Sequence, residues 1–242
     1  MLPFVLLATR AEDVAADGEY AAMLRYAGLK PSELVRVRLE AGPMPSLDLE
    51  AISGVIVGGS PFDASSPTKS EVQVRVETEM AALLDRLVPS DVPFLGACYG
   101  VGTLGVHQGA VIDGTYGEPI GPVTITLTDE GRADPLLAGL PSSFEAFVGH
   151  KEACSVLPPS ATLLASSPTC PVEMFRVGTN LYATQFHPEL DVEGISSRIR
   201  VYRDYGYYEP GEADDVLAGV RGADVSHAHR VLAAFVERYA RG

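Results

Sequence analysis

The stretch from Val92 to His107, V-P-F-L-G-A-C-Y-G-V-G-T-L-G-V-H, restricts the fold more tightly than any other part of the chain. Pro93-Phe94-Leu95 reads as a short buried strand that runs directly into Gly96-Ala97-Cys98-Tyr99-Gly100. The apolar residues Val101, Leu104 and Val106 predict a helix starting at or just after the cysteine. A strand, a G-x-C-x-G turn and a helix together have the layout of a nucleophile elbow, a turn usually built around serine. So tight a turn needs flanking residues that are small or free to take unusual backbone angles, which glycine supplies without steric cost. The side chain at its centre is left exposed at the carboxyl end of the sheet. A cysteine there also sits at a helix N-terminus, where the dipole favours thiolate over thiol. The spacing alone leaves open a small buried cysteine in a Gly-rich strand end.

A second feature lies near the other end of the chain, at Tyr182-Ala183-Thr184-Gln185-Phe186-His187-Pro188-Glu189. A strand over Leu181 to Phe186 is predicted to end in His-Pro-Glu. Proline fixes its own φ and pushes the preceding residue towards extended geometry. Such a turn can hold the imidazole in front of the sheet with the carboxylate close behind it. Cys98, His187 and Glu189 then supply a nucleophile, a base and a group that orients the base.

Through these two motifs the chain resembles the class I (triad) glutamine amidotransferases, particularly stand-alone domains similar to the amidotransferase part of GMP synthase. The resemblance covers about Phe4 to Glu189, with further matches at V-I-V-G-G-S-P (55–61), G-E-P-I-G (117–121) and V-G-H-K-E (148–152). It implies a flavodoxin-like α/β fold, with a mostly parallel central sheet flanked by helices and a small antiparallel extension. It implies hydrolysis of the glutamine side-chain amide, with ammonia supplied to a separate synthetase in trans. It further implies an oxyanion hole built from the backbone N–H groups of Gly59 and Tyr99, and substrate contacts at or near Gly58, Glu118 and His150. Such a fixed N–H donor is worth on the order of 3 kcal/mol to the reaction.

One position departs from the resembled pattern. The family usually carries a glutamine four residues after the nucleophile, where it helps to hold the substrate, and this chain has Gly102. The substrate is therefore either glutamine or another γ-glutamyl compound hydrolysed by the chain alone. A catalytically degenerate binding or regulatory module is the third reading, which the presence of all three triad residues opposes.

Composition narrows the partners. The 242 residues suit one α/β domain, with a core over about 1–190 and a helical segment over about 191–242. A formal charge of −14 disfavours a nucleic-acid backbone or an anionic membrane. The N-terminal run M-L-P-F-V-L-L reads as a first buried strand, since no basic residue precedes it and Arg10, Glu12 and Asp13 follow soon after. Three widely spaced cysteines fit a reducing cytoplasm. No cofactor is expected, because no phosphate-binding G-x-x-x-x-G-K-[ST] loop is present. No metal is expected either: His227-x-His229 lies in a helical pattern, and Cys154 and Cys170 lack ligand spacing. Oligomeric state is not legible.

Before the elbow the pattern alternates: strands at Phe4–Ala8, Leu34–Leu39 and Ile52–Val57, and helices at Asp17–Gly28 and Ser70–Val88. After His107 short strands follow, at Ala110–Ile112, Val123–Leu127, Glu145–Val148, Thr162–Ser166, Val172–Val177 and Leu181–Phe186. Val231, Leu232, Phe235, Val236 and Tyr239 then form one apolar helical stripe. Asp13, Asp17, Asp63 and Asp191 read as solvated surface carboxylates.

Overall fold

The computed structural model describes residues 1–209 and 211–242. Its first half alternates as the pattern predicts: β1 (Phe4–Ala8), α1 (Asp13–Ala27), β2 (Leu34–Arg38), β3 (Gly54–Val57), α2 (Glu71–Leu87), β4 (Phe94–Ala97) and α3 (Tyr99–Gln108). The second half holds β5 (Val111–Asp113), β6 (Glu118–Leu127), α4 (Asp129–Ala133), β7 (Ser143–His150), β8 (Ala153–Val156), β9 (Ala161–Ser166), β10 (Met174–Val177) and β11 (Leu181–Thr184). Three helices close the chain, α5 (Val192–Val201), α6 (Ala213–Gly219) and α7 (Ser226–Tyr239).

Nine strands form one sheet in the order β2-β1-β3-β4-β11-β10-β9-β6-β7, and β5 and β8 pair separately. The pairs β2–β1, β1–β3, β3–β4 and β4–β11 run parallel. From β11 outwards every pairing is antiparallel, so the extension continues the parallel sheet. Strands covered on both faces read as unbroken apolar runs, and F-V-L-L-A of β1 and G-V-I-V of β3 are buried at every position.

Each face carries its own core. On one, Val76, Met80, Leu83, Leu84 and Leu87 of α2 pack with Val101 and Leu104 of α3. The Ser70 hydroxyl caps α2 by accepting from the Gln73 N–H at 3.1 Å. On the other face Met23 of α1 packs with Ile195 and Ile199 of α5 and with the α7 stripe of Val231, Leu232, Phe235 and Val236. Gly28, at φ 68°, ends α1 in the left-handed conformation.

The sequence reading lacks β8 and α4, and several boundaries differ from it, among them the following three. Helix α1 starts at Asp13, ahead of Asp17, because Ala15 and Ala16 are already on its buried face. Strand β6 starts at Glu118, ahead of the expected Val123: a register shift between Glu118 and Gly121 keeps the G-E-P-I-G-P segment in the ladder. Strand β11 ends at Thr184, releasing Gln185 and Phe186 from the ladder before His187.

Candidate active site

The carboxyl ends of β1, β3, β4 and β11 deliver Arg10, the Gly58–Ser60 turn, Cys98 and His187 to one edge of the sheet, the place where open α/β sheets bind ligands. At Cys98 the backbone takes φ 53° and ψ −82°, and Asp91 is the other described non-glycine residue at positive φ. Such a conformation costs on the order of 1–3 kcal/mol and persists only where the surroundings impose it. Two contacts impose it here. The Cys98 N–H donates to the Thr184 carbonyl at 2.7 Å, tying the elbow to β11. A Cβ on Gly96 would lie 2.5 Å from the Gly100 Cα, so the first glycine of G-x-C-x-G allows the helix to approach the strand. Tyr99 opens α3, and its N–H is one of the first-turn donors that lack a partner within the helix.

The Cys98 thiol is pushed up to about 12, first by burial and secondarily by Glu189, with Arg10 and Arg198 pulling it down. Burial thus opposes the thiolate that a helix N-terminus favours.

His187 is held by backbone and side chain alike. Its N–H donates to the Phe147 carbonyl of β7 at 2.9 Å, and the Gln185 N–H donates to the Glu173 carbonyl at 2.7 Å. Its Nδ1 lies 2.9 Å from Glu189 Oε1. Burial holds the imidazole below its ordinary value, with Arg198 and Arg10 adding to the effect and Glu189 opposing it. For Glu189 burial is the largest influence and favours the neutral acid, but His187 and Arg198 outweigh it and keep the carboxylate ionised.

Two adjoining cavities open onto Cys98, and Ser60, Gly149 and Tyr207 line both. The first is polar, with Asp63, His150, Lys151, Glu152 and Gln185 in its wall. The second passes His187 and Arg198 and is walled by Ile120, Val148, Leu190, Ile195 and Tyr202.

The sequence-predicted residues divide between cavity and framework. Gly102 and His150 line the polar cavity. Gly58 lines neither cavity, because Glu19 occupies the space a Cβ would fill. Gly59 is also placed differently from its expected role. Its N–H donates to Glu19 Oε1 at 3.1 Å instead of facing the cysteine cavities, and a Cβ there would collide with Arg10 and lie 2.8 Å from His187 Cε1. Glu118 does not reach the cavity. It sits behind His150, with Oε2 at 2.8 Å from the ring Nε2. Nor is Gly102 an empty position, since a Cβ there would lie 3.1 Å from the Ala64 Cβ and 3.7 Å from Glu152 Oε1. The Glu152 carboxylate accepts the Ala64 and Ser65 N–H groups at 2.5 and 2.7 Å, so the 63–66 segment fills the space over α3. Of the surface carboxylates, Asp63 joins the cavity wall and Asp191 caps α5 through the Gly194 N–H at 2.7 Å.

Sequence reasoning missed Glu19, Arg10, Arg198 and Tyr207. Their spacing carries no motif, and only the folded topology brings them to Cys98. Gln185 lies inside the second motif, with no role assigned to it there. It also missed Glu173, whose buried carboxyl has no hydrogen-bond partner when both its oxygens are treated as acceptors. Glu118, Cys170 and Glu173 place ligand-type atoms within 4.8 Å of one another. Glu118, however, is already committed to His150, Ser167 and Thr169. Burial and the charge of Glu118 push Glu173 up to about 9, so it carries a proton it can share with its neighbour.

The chain also matches known proteins. The family model described as "Glutamine amidotransferase class-I" matches residues 22–198. The glutamine-hydrolyzing GMP synthase subunit of Thermococcus kodakarensis is 27% identical over 168 residues, covering 69% of this chain and 80% of that protein. Gamma-glutamyl peptidase 3 of Arabidopsis thaliana is 31% identical over 150 residues, covering 60% of this chain and 58% of that protein. The crystal structure of a glutamine amidotransferase from Thermotoga maritima superposes with a TM-score of 0.79 at 21% identity, covering all of both chains. The elbow, the sheet order and the matched span thus lead to one assignment: this chain belongs to the class I glutamine amidotransferase family.

Proposed function

We propose that the protein hydrolyses a γ-glutamyl amide bond through Cys98, His187 and Glu189. The observation that carries this reading is the positive-φ cysteine opening onto the same cavity as a histidine whose Nδ1 faces a buried carboxylate. Cys98 Sγ attacks the amide carbon as His187 takes the thiol proton. The same proton passes to the leaving nitrogen when the C–N bond breaks, releasing an amine and leaving a γ-glutamyl thioester. Water, deprotonated by His187, cleaves the thioester to glutamate and regenerates the thiol. Glu189 orients the imidazole and stabilises its charged form. Because the Gly59 N–H is engaged by Glu19, we assign oxyanion stabilisation to the Tyr99 N–H and to Ser60, the next residue in the turn, which lines both cavities.

The polar cavity suits the zwitterionic end of the substrate. Lys151, His150, Asp63 and Glu152 together line it, with Lys151 Nζ 3.9 Å from Asp63 Oδ2, and Gln185 Oε1 lacks a partner. Glutamine is the simplest such substrate, with ammonia passing to a synthetase partner, as the likeness to the Thermococcus GMP synthase protein suggests. The second cavity favours another reading: it lies on the His187 side, where the leaving group departs, and its aliphatic and tyrosine walls suit an amine larger than ammonia. In that case the protein is a γ-glutamyl hydrolase acting alone, and the similarity to gamma-glutamyl peptidase 3 points the same way. Steady-state kinetics on glutamine and on γ-glutamyl amides of graded amine size decide between them. A kcat/KM that rises with apolar amine size supports the hydrolase, and one highest for glutamine supports the amidotransferase. No turnover of any γ-glutamyl amide by wild type, or equal turnover by Cys98→Ala, overturns the proposal.

A further inference from the structure

Two arginines and two carboxylates are buried together behind His187, and the reaction as written uses only one of the four. Arg10, Glu19, Glu189 and Arg198 are 4%, 1%, 0% and 7% exposed. Glu19, from α1, is the hub. Its Oε1 accepts from Arg10 Nε at 2.9 Å, from Arg198 Nη2 at 3.2 Å and from the Gly59 N–H at 3.1 Å. Arg198, from α5, also donates through Nη2 to Glu189 Oε1 at 2.9 Å. Its Nη1 lies 3.1 Å from His187 Nδ1.

The charges of this group sum to zero while the His187 ring is neutral and to +1 once the ring takes a proton from solvent. A net buried charge is costly unless a partner compensates it. A second constraint acts at Nδ1, because a ring nitrogen offers a proton or a lone pair but never both. Glu189 calls for the proton and Arg198 Nη1 for the lone pair. With the proton on Nδ1, Nε2 is left as the basic atom, and Glu189 favours that tautomer.

We infer that Glu19, Arg10 and Arg198 are positioning residues that keep His187 uncharged and reserve it as a base, by balancing the buried charge of Glu189. This rests on the reading of Cys98 and His187 as nucleophile and base. When the thiol proton moves to His187, the thiolate and imidazolium form together and add no net charge, whereas a proton from solvent leaves one unbalanced. The cradle therefore discriminates between the productive proton and the unproductive one.

The other groups around His187 bring no charge near neutral pH. Cys98 faces it from the elbow with its thiol pushed up by burial. Tyr202 and Tyr207, beyond α5, are both raised by burial. His229 of α7, bonded to the Pro188 carbonyl at 2.8 Å, is lowered by burial. The β3 and β7 sides present backbone, at Gly59 and Phe147. Glu152 stands across the polar cavity, with its oxygens on the Ala64 and Ser65 amides.

The test is a pair of substitutions with opposite expected signs. Arg198→Met leaves the cluster at −1 and should raise the pH midpoint of His187 protonation by at least about one unit. Glu19→Gln leaves it at +1 and should lower that midpoint by a similar amount, about one unit. Arg198→Lys should stay near wild type. The midpoint is read by NMR titration of the His187 ring in the free protein, its signals assigned by their loss in His187→Ala. Midpoints that move in the same direction, or do not move, overturn the inference, since a merely structural role has no reason to produce opposite signs. Should Arg198→Met fail to fold, the near-isosteric Glu19→Gln decides alone by the sign of its shift. Iodoacetamide alkylation of Cys98 across the same pH range tests the underlying reading separately. Opposite shifts without preferential Cys98 alkylation would uphold the cradle and sink the nucleophile assignment.

Discussion

At the scale of single residues, the thiols differ less in acidity than in surroundings. Burial pushes Cys154 up to about 11 and Cys170 up to about 12, alongside about 12 for Cys98. Only Cys98 combines partial exposure with a histidine on the same cavity wall. A glutamine-like electrophile such as diazo-oxo-norleucine is therefore expected to label Cys98 alone, checked by peptide mapping. Labelling of Cys154 or Cys170 would undo the elbow assignment. His187→Ala should lower kcat by about 10⁶ and Glu189→Gln by about 10⁴, because the second variant keeps the base and loses its alignment and charge support. Because the folded protein holds His187 below its ordinary value, kcat/KM should stay level as pH falls through about 6.5 and decline only below it. A decline centred above pH 7 would contradict this. The chain showed Cys98, His187 and Glu189 because each stands in a short motif whose backbone geometry is local. Glu19 and Arg198 stand in ordinary helical sequence, and nothing in their neighbours marks them.

At the scale of elements, the segment over α3 changes what Gly102 means. The departure from glutamine suggested a weakened pocket or extra room, and the structure shows the space taken by Ala64 and braced by Glu152. Gly102→Gln is therefore expected to displace the 63–66 segment. Overpacking of this kind costs about 1–3 kcal/mol, so KM should rise roughly tenfold or more. A fall in KM for glutamine would show that the segment yields and that the side chain completes the pocket. Gly96→Ala should be more severe, because the neighbour that must move is helix backbone at Gly100, 2.5 Å from the new Cβ. Loss of soluble folded protein or a clearly lower Tm is the expected outcome. The alternation of β1 to α3 was legible because continuous apolar strands and amphipathic helices have different periods. The start of β6 was hidden because glycine and proline, the usual marks of a turn, here sit at a register shift inside a strand.

For the molecule as a whole, a buried acid makes stability depend on pH in an unusual direction. Glu173 is raised to about 9 in the folded chain, against an ordinary glutamate value of about 4.3. The fold thus binds this proton more tightly than the unfolded chain does. Its contribution is most favourable below the unfolded value and is lost as pH rises towards the folded one. Glu173→Gln removes that dependence, so the variant's Tm should gain on wild type between about pH 5 and 9. A constant Tm difference across that range would show that Glu173 is not protonated in the fold. The sheet also has a consequence for association. The hydrogen bond from the His187 N–H to the Phe147 carbonyl joins the β11 end to β7, the last strand of the order, so the antiparallel half curls back on itself there. That edge is already occupied at its middle, and β2 at the opposite edge carries Arg36 and Arg38, each paired to a carboxylate of α1. Charged side chains and a closed rim both discourage strand addition. Any partner that receives the product must then be met by side chains around the cavities, without the sheet being extended from one molecule into the next.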